Sequence, residues 1–268
     1  MSMVSWLMAN RVKNLCKVAH RLFGSIASRI RITETARVSN KGERIIVGNW
    51  KLARESNSFV ILAHIQRYEW ILPYVKGRSC LDIGCGSGYG SSYLSRNGAL
   101  NVTGIDVSRD SIRYANGHFQ ASNLNFLQMD GLDLEFVDAS FDVVVSFDVL
   151  EHIAEGIQTR LVSEAARVLV DNGALFIGCP NSAVSVGSNP FHKRELSLVE
   201  FETMLRAYFD EIRTFGQDLL VDGRIQGRNW SQYLSNLTYD NLVIVEDCEV
   251  AYGLLAICTG PRKPRVKS

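Results

Sequence analysis

The chain is short of several things, and each shortage excludes a class of protein. Its 268 residues carry 29 Lys and Arg against 28 Asp and Glu, a formal net charge of +1, so the strongly basic balance of a nucleic-acid-binding surface is missing. No apolar stretch reaches the ~20 residues that a bilayer-spanning helix needs. No apolar segment followed by a small-residue cleavage site marks a secretory signal. The six cysteines, Cys16, Cys80, Cys85, Cys179, Cys248 and Cys258, form no C-x-x-C pair. That pattern argues against a structural zinc site and a disulfide framework, and for buried free thiols in a reducing compartment. There is no internal repeat. Asp142 and Asp148 offer carboxylates but lack metal-ligand spacing, so no metal is expected.

What is present fits one soluble α/β domain with additions: 46% apolar residues, 21% charged and a length comfortable for one domain. The first 33 residues hold Arg11, Lys13, Lys17, Arg21, Arg29 and Arg31 and no acid. Val12, Leu15, Ala19, Leu22, Phe23, Ile26 and Ile30 recur there at helical spacing. Residues 1–40 read as a basic amphipathic leader, with three readings open. It is an accessory helix packed on the domain, a segment whose residues 6–31 lie on an anionic membrane surface, or a transit peptide. The expected location is cytoplasmic, peripheral at the inner face of the membrane under the second reading. Residues 41–260 form the domain, and 261–268 a basic, disordered tail.

From residue 58 the patterning alternates. Residues 58–75 read as a helix stopping near Pro73, and strands are predicted over 79–83, 101–106, 124–128, 141–146 and 174–179. Helices fall after Ser91, after an N-cap at Ser108, and over 158–169; Asp171-Asn172-Gly173 reads as a turn. Strands alternating with helices predict a mostly parallel sheet covered on both faces. Beyond Cys179 the rhythm changes. Residues 180–197 read as a loop or lid, 198–208 as a helix, 211–215 as a strand, 216–250 as an irregular acceptor-side insertion and 252–259 as a last strand.

The glycine-rich run Leu81-Asp82-Ile83-Gly84-Cys85-Gly86-Ser87-Gly88-Tyr89-Gly90 joins the first strand to its helix. A phosphate-binding P-loop needs Lys-Ser or Lys-Thr after the glycines; Tyr89-Gly90-Ser91 has no lysine. The G-x-G-x-x-G of dinucleotide folds is spaced differently, and Asp82 would repel a phosphate. An acid there suits a ligand with an ammonium group, such as S-adenosylmethionine. Asp106 ends the second strand, where a carboxylate can take both hydroxyls of a ribose. Asp130-Gly131 follows the third and is placed to face the adenine edge. Acids that end strands are often ordinary helix caps, but three at the carboxyl ends of consecutive strands mark the ligand side of such a sheet.

LDIGCGSGYG, GIDVS, QMDG and FDVVVSFDVLEHI together resemble the class I S-adenosylmethionine-dependent methyltransferases over residues 78–180. The resemblance implies a Rossmann-like fold: a seven-stranded, mostly parallel sheet with helices on both faces and an antiparallel last strand. It implies that Asp82 and the loop from Gly84 through Cys85 and Gly86 to Gly88 hold the methionine part, and that Asp106 binds the ribose. It also implies that Val107 packs on adenine, that Met129, Asp130 and Gly131 border the base, and that Phe147 lines the pocket floor. Tyr68 is expected to close over the cofactor from the preceding helix. Outside the core, Gly42-Glu43-Arg44, His64 to Tyr68 and Asn189-Pro190-Phe191-His192-Lys193-Arg194-Glu195 are similar to bacterial methyltransferases associated with cell-surface polysaccharide and sugar modification. Those often have GERF(I/V)P, whereas this chain continues Ile45-Ile46-Val47 without the proline. Quinone-biosynthesis O-methyltransferases are more distantly similar, with an EH pair like Glu151-His152.

Methyl transfer to a hydroxyl needs an in-line approach and a base, for which histidine is suited. His20 and His118 lie in the leader and on a distant helix. His152, after the fourth strand, and His192, in the loop after the fifth, are the candidate catalytic residues; His152 also reads as a structural cap of the next helix, and Glu195 either orients His192 or is an ordinary acid at a helix N-terminus. Trp230, Tyr233 and Tyr239 stack on a sugar or pack on the sheet. The expected acceptor is a small-molecule or lipid-linked glycan, with no nucleic-acid partner. The alternatives are O-methylation of a quinone precursor or other small aromatic molecule, and a non-catalytic scaffold. The scaffold would not need Asp82, the loop glycines and Asp106, all of which are intact.

Overall fold

A computed structural model describes residues 37–39, 44–46, 59–185, 189–221, 224–226, 238–246 and 248–263. The leader helix over 6–31, Trp230, Tyr233 and the tail residues 264–268 lie outside the described residues. A short antiparallel pair, β1 (Arg37–Ser39) and β2 (Arg44–Ile46), comes first. The order continues α1 (Phe59–Val75), β3 (Ser79–Ile83), α2 (Tyr89–Arg96), β4 (Asn101–Asp106), α3 (Arg109–His118), β5 (Leu124–Gln128) and β6 (Phe141–Phe147). It ends α4 (Gln158–Val168), β7 (Leu169–Pro180), α5 (Leu198–Arg206), β8 (Phe209–Val221), β9 (Arg224–Ile225), β10 (Leu242–Val245) and β11 (Gly253–Pro261).

The main sheet runs β10-β8-β11-β7-β6-β3-β4-β5. β3, β4, β5, β6 and β7 are parallel, and β11 is antiparallel to both β7 and β8. β4 and β6 flank β3 on opposite sides, so the strand order reverses there. That is the switch point where open α/β sheets bind ligands beyond their carboxyl ends. Alternate residues of each strand face opposite sides. Leu81, Ile83 and Val144 join α4 and α5 in one core; Cys80, Val143 and Val145 join α1, α2 and α3 in the other.

The expected seven strands, with an antiparallel last one, are all present. The sheet is wider than expected, however, with nine strands among the described residues. β8 extends to Val221, and β9 and β10 pair antiparallel with it, so residues 216–250 are not irregular throughout. The apolar runs Leu219-Leu220-Val221 and Leu242-Val243-Ile244-Val245 had strand character, but the polar residues between them masked it. Asp171-Asn172-Gly173 lies within the range of β7, at the point where the register against β6 shifts from Phe141↔Leu169 to Val143↔Ala174, and a Cβ on Gly173 would lie 2.9 Å from the Val170 carbonyl. Helix α1 continues past Pro73 to Val75. Among the described residues no helix is long and apolar enough to cross a membrane.

Candidate active site

The glycine loop sits at the carboxyl end of β3 and feeds α2. The Gly84 and Cys85 amides both donate to the Ile105 carbonyl, at 2.8 and 2.9 Å, which ties the loop to the end of β4. Gly88 is the N-cap of α2 at φ +86°, a conformation L side chains rarely adopt. A Cβ there would also lie 2.6 Å from Ala115 and 2.8 Å from Phe126. Gly86, at φ +54°, differs, because a Cβ on it would meet nothing within 4 Å. That side of the loop faces open space, and a ligand can approach its backbone.

Asp82 and Tyr68 stand behind the loop. Asp82 is 1% exposed and Tyr68 5%. The Asp82 carboxylate accepts from the Tyr68 hydroxyl at 3.1 Å and the Ser91 hydroxyl at 2.6 Å. Burial pushes its pKa up to about 6, with those two hydrogen bonds opposing the shift. Tyr68 packs edge-on against Tyr89 and Phe147 and fits closely against Gly90, where a Cβ would lie 2.1 Å from its ring. Both residues therefore act on any loop ligand through the loop they support. Cys85 is buried, and burial raises its thiol pKa; what it presents to the loop surface is backbone. Phe147 is 5% exposed at the end of β6.

Asp106 holds the two cofactor-side turns together. One carboxylate oxygen accepts from the Gly86 amide at 3.0 Å and the other from the Ser108 amide at 2.8 Å. Ser108 caps α3 by accepting from the Ser111 amide. Beside it Val107 is 63% exposed, an apolar side chain held in the open next to a carboxylate. Met129 is half-buried, and its amide donates to the Asp106 carbonyl at 3.2 Å. The exposed Asp130 turns the chain by accepting from the Leu132 amide. Gly131 lies against Ile83, where a Cβ would come within 2.6 Å. Asp106, Val107, Met129 and Asp130 thus share the strand-end surface beside the open face of Gly86.

The side beyond β6 is built differently. Asp148 takes φ +54° immediately after β6. Its carboxylate pairs with Arg67 at 2.5 Å and with His64 at 2.6 Å. His64 Nδ1 lies 2.7 Å from the Tyr89 hydroxyl. Arg67 donates to Gln217 at 2.7 Å and to the Tyr252 hydroxyl at 3.3 Å. Burial alone would raise the Asp148 pKa, but the Arg67 and His64 charges outweigh it and hold the carboxyl well below its usual range. Burial works against the Arg67 charge, but Asp148 and Tyr252 together outweigh it, so it stays protonated. Sequence reasoning missed this network. The available signal was His64, Arg67 and Tyr68 on one face of the otherwise apolar helix α1.

Next to it, the loop after β7 docks on the short 3-10 turn Leu150–His152. The Lys193 and Arg194 amides donate to the Glu151 carbonyl, at 2.7 and 3.2 Å. His152 Nδ1 is 3.0 Å from the Phe191 carbonyl. His192 Nδ1 is 2.5 Å from the Glu195 carboxylate, and its Nε2 is 3.0 Å from the Asn189 amide nitrogen. The two imidazoles meet edge to face, centroids 5.3 Å apart. The candidate catalytic residues are therefore brought together, with the Glu195 carboxylate in contact with His192. His118 is remote, stacked on Tyr114 at the end of α3. Tyr239 packs at the α1 edge and donates to Glu69.

Residues 81–177 match the family described as "Methyltransferase domain". Over 181 residues the chain is 34% identical to a "Probable S-adenosylmethionine-dependent methyltransferase" of Mycolicibacterium smegmatis, covering 65% of this chain and 66% of that one. Over 109 residues it is 33% identical to a "Ubiquinone biosynthesis O-methyltransferase" of Coxiella burnetii, covering 40% and 45%. The chain spans only half to two thirds of the length of the mycobacterial relatives it matches. Among solved structures, a SAM-dependent methyltransferase from Thermotoga maritima superposes with a TM-score of 0.59 at 18% identity, covering 79% of this chain and 92% of that one. That last likeness shows the fold alone. The switch-point glycine loop, the Asp106 strand end and the sequence match agree on a class I S-adenosylmethionine-dependent methyltransferase domain over residues 81–177.

Proposed function

We propose that the protein transfers a methyl group from S-adenosylmethionine to a hydroxyl of a sugar, in polysaccharide or glycoconjugate biosynthesis. The observation that carries the donor half is Asp106, clamped between the Gly86 and Ser108 amides beside the exposed Val107. A ribose diol meets a carboxylate there and adenine an apolar surface, while the methionine end runs along the open face of the glycine loop. Met129, Asp130 and Gly131 border the base. Asp82 and Tyr68 fix the loop from behind.

The acceptor half rests on the paired imidazoles at the β6 and β7 ends. The acceptor oxygen attacks the methyl carbon in line. The C–O bond forms as the C–S bond breaks, and the electron pair returns to sulfur, leaving S-adenosylhomocysteine. The hydroxyl proton goes to His192, whose other nitrogen is held by Glu195; His152 borders the acceptor. The sugar reading is supported by the likeness of Gly42-Glu43-Arg44 and of residues 189–195 to sugar-associated methyltransferases. The basic leader suits a lipid-linked acceptor met at the inner face of a membrane. The second reading, O-methylation of a quinone precursor or other small aromatic, is favoured by the likeness to the ubiquinone biosynthesis O-methyltransferase of Coxiella burnetii.

The test is transfer of labelled methyl from S-adenosylmethionine to a panel of nucleotide sugars, lipid-linked glycans and catechols. Label on the sugars supports the proposal; label on the catechols alone replaces it with the second reading. His192→Ala is expected to lower kcat by about 10²- to 10⁴-fold and to remove the fall in rate on the acid side of the pH–rate profile, where a general base is protonated. Full turnover with an unchanged profile would remove His192 from the role of base.

A further inference from the structure

Five side chains form one unbroken line of polar contacts from the antiparallel side of the sheet to the glycine loop. Gln217 of β8 accepts from Arg67 at 2.7 Å, and Arg67 pairs with Asp148 at 2.5 Å. Asp148 pairs with His64 at 2.6 Å, and His64 Nδ1 lies 2.7 Å from the Tyr89 hydroxyl. From this line we infer that His64 is a positioning residue for the methyl donor. It acts through Tyr89, at the point where the glycine loop becomes α2. The inference deepens the methyltransferase reading above and rests on it for what the loop binds.

Three features of the structure support this role. The first is the place of Tyr89. It opens α2, between Gly88 and Gly90. Gly88 takes φ +86°, and a Cβ on Gly90 would run into the Tyr68 ring. Neither glycine has a side chain by which the loop exit can be held, and glycine loses more backbone freedom on ordering than any other residue. The Tyr89 side chain supplies the hold. It is 7% exposed and packs edge-on against Tyr68. The bond to His64 adds direction to that packing and ties the start of α2 to α1.

The second feature is tautomer control. An ionised carboxylate can only accept, so His64 Nε2 carries the proton that Asp148 takes, and the lone pair of the neutral imidazole lies on Nδ1. The Tyr89 hydroxyl donates into it. Burial, joined by the Asp148 and Asp82 charges, pushes the Tyr89 phenol well above its ordinary value, so it keeps the proton it donates. Arg67 sits on the other Asp148 oxygen and favours the ionised carboxylate. Each member of the line thus fixes the state of the next.

The third feature is the anchor at the far end. Gln217 is fully buried. Its amide nitrogen donates to the Ala63 carbonyl at 3.0 Å and to the Gln66 side chain at 2.8 Å, and its oxygen also accepts from the Tyr252 hydroxyl at 2.8 Å. Helix α1 is thereby fastened to β8 and to the start of β11. His64 and Arg67 lie three positions apart on one face of that helix, so the single carboxylate at the β6 end meets both. The line ends on the sheet, and the position it gives Tyr89 is set by the fold.

The experiment is calorimetric titration of S-adenosylhomocysteine into the full chain and into His64→Leu, Tyr89→Phe, the double variant and His64→Gln. One net hydrogen bond corresponds to about 3- to 10-fold in affinity, and each of the first two variants is expected to weaken binding by about that factor. The double variant should be no weaker than the weaker single one, because both remove the same bond. The glutamine amide offers one acceptor and one donor, as neutral imidazole does, so His64→Gln should recover most of the loss. A second readout needs no donor. Long-range ¹H–¹⁵N spectra of histidine-labelled protein at pH 8.5, above the ordinary imidazole range, should show His64 protonated on Nε2. Its Nδ1 signal should move in Tyr89→Phe while Nε2–H persists. Additive losses in the double variant, or a His64 protonated on Nδ1, would overturn the inference. Tyr89→Phe keeps the buried ring, so unchanged affinity in that variant overturns it even if His64→Leu does not fold. If the wild type binds S-adenosylhomocysteine and the variants bind it equally, the inference alone falls. If the wild type does not bind it, the methyltransferase reading falls and takes the inference with it.

Discussion

The two sides of the strand ends are made in different ways. On the β3-β4-β5 side the ligand surface is backbone and strand-end residues close together in sequence. Loop amides bond to the Ile105 carbonyl, and Asp106 bridges Gly86 and Ser108. On the β6-β7 side it is side chains from distant segments. Arg67 reaches Gln217 across 150 positions, and His152 reaches Phe191 across 39. The first side is built from pairings between neighbouring strand ends. The second is assembled only when α1, β6, the loop after β7 and β8 meet.

The predictions that test this contrast begin with the largest. Asp148→Asn leaves the Arg67 guanidinium, 3% exposed, without its anion. Unpairing a buried charge typically costs about 3–5 kcal/mol, and Asp148 is partly solvated, so a loss of about 3 kcal/mol is expected in urea unfolding. A loss under 1 kcal/mol would mean that the acceptor side is not held by this network. Gly88→Ala attacks the donor side. It forces a side chain into φ +86° and against Ala115 and Phe126, with an expected cost of about 1–3 kcal/mol and a weakened S-adenosylhomocysteine affinity.

Asp82→Asn should have an effect that depends on pH. The folded-state pKa near 6 lies above the ordinary carboxylate value of 3.8, so the folded state binds the proton more tightly than the unfolded. Stability from this group is full below about pH 4 and falls as pH rises to 6. The asparagine variant, measured by thermal unfolding without cofactor, should gain on the wild type across that window by up to about 3 kcal/mol. A difference that does not vary with pH would refute a buried, proton-holding Asp82. Smallest is Ser197→Ala, which removes the capping box of α5 with Glu200. It should cost about 1 kcal/mol, falling on the loop after β7 and leaving S-adenosylhomocysteine affinity unchanged.

The same contrast explains what could be read from the sequence. β3 to β6, the glycine loop and Asp106 were legible because their pattern is local: an apolar run, a glycine turn, an acid at a strand end. The missing lysine and Asp82 argued against a phosphate ligand, and the donor followed from Asp106 and Asp130 at the next strand ends together with the resemblance of these motifs to class I methyltransferases. That Asp82 and Tyr68 would be buried behind the loop was not legible, since a strand residue shows which face it takes but not what covers that face. β10 was hidden because a four-residue apolar run inside a polar insertion has no partner until β8 is seen to extend. The His64–Asp148–Arg67 network was invisible for a similar reason: its members lie on α1 and just after β6, far apart in sequence, and spacing within one segment cannot show a pairing between two.

The central claim is that the donor binds at the β3-β4 strand ends through Asp106. The most direct measurement is calorimetric titration of S-adenosylhomocysteine into the wild type and Asp106→Ala. The account predicts one site per chain in the wild type and affinity at least tenfold weaker in the variant. No binding by the wild type, or equal binding by both, would contradict it.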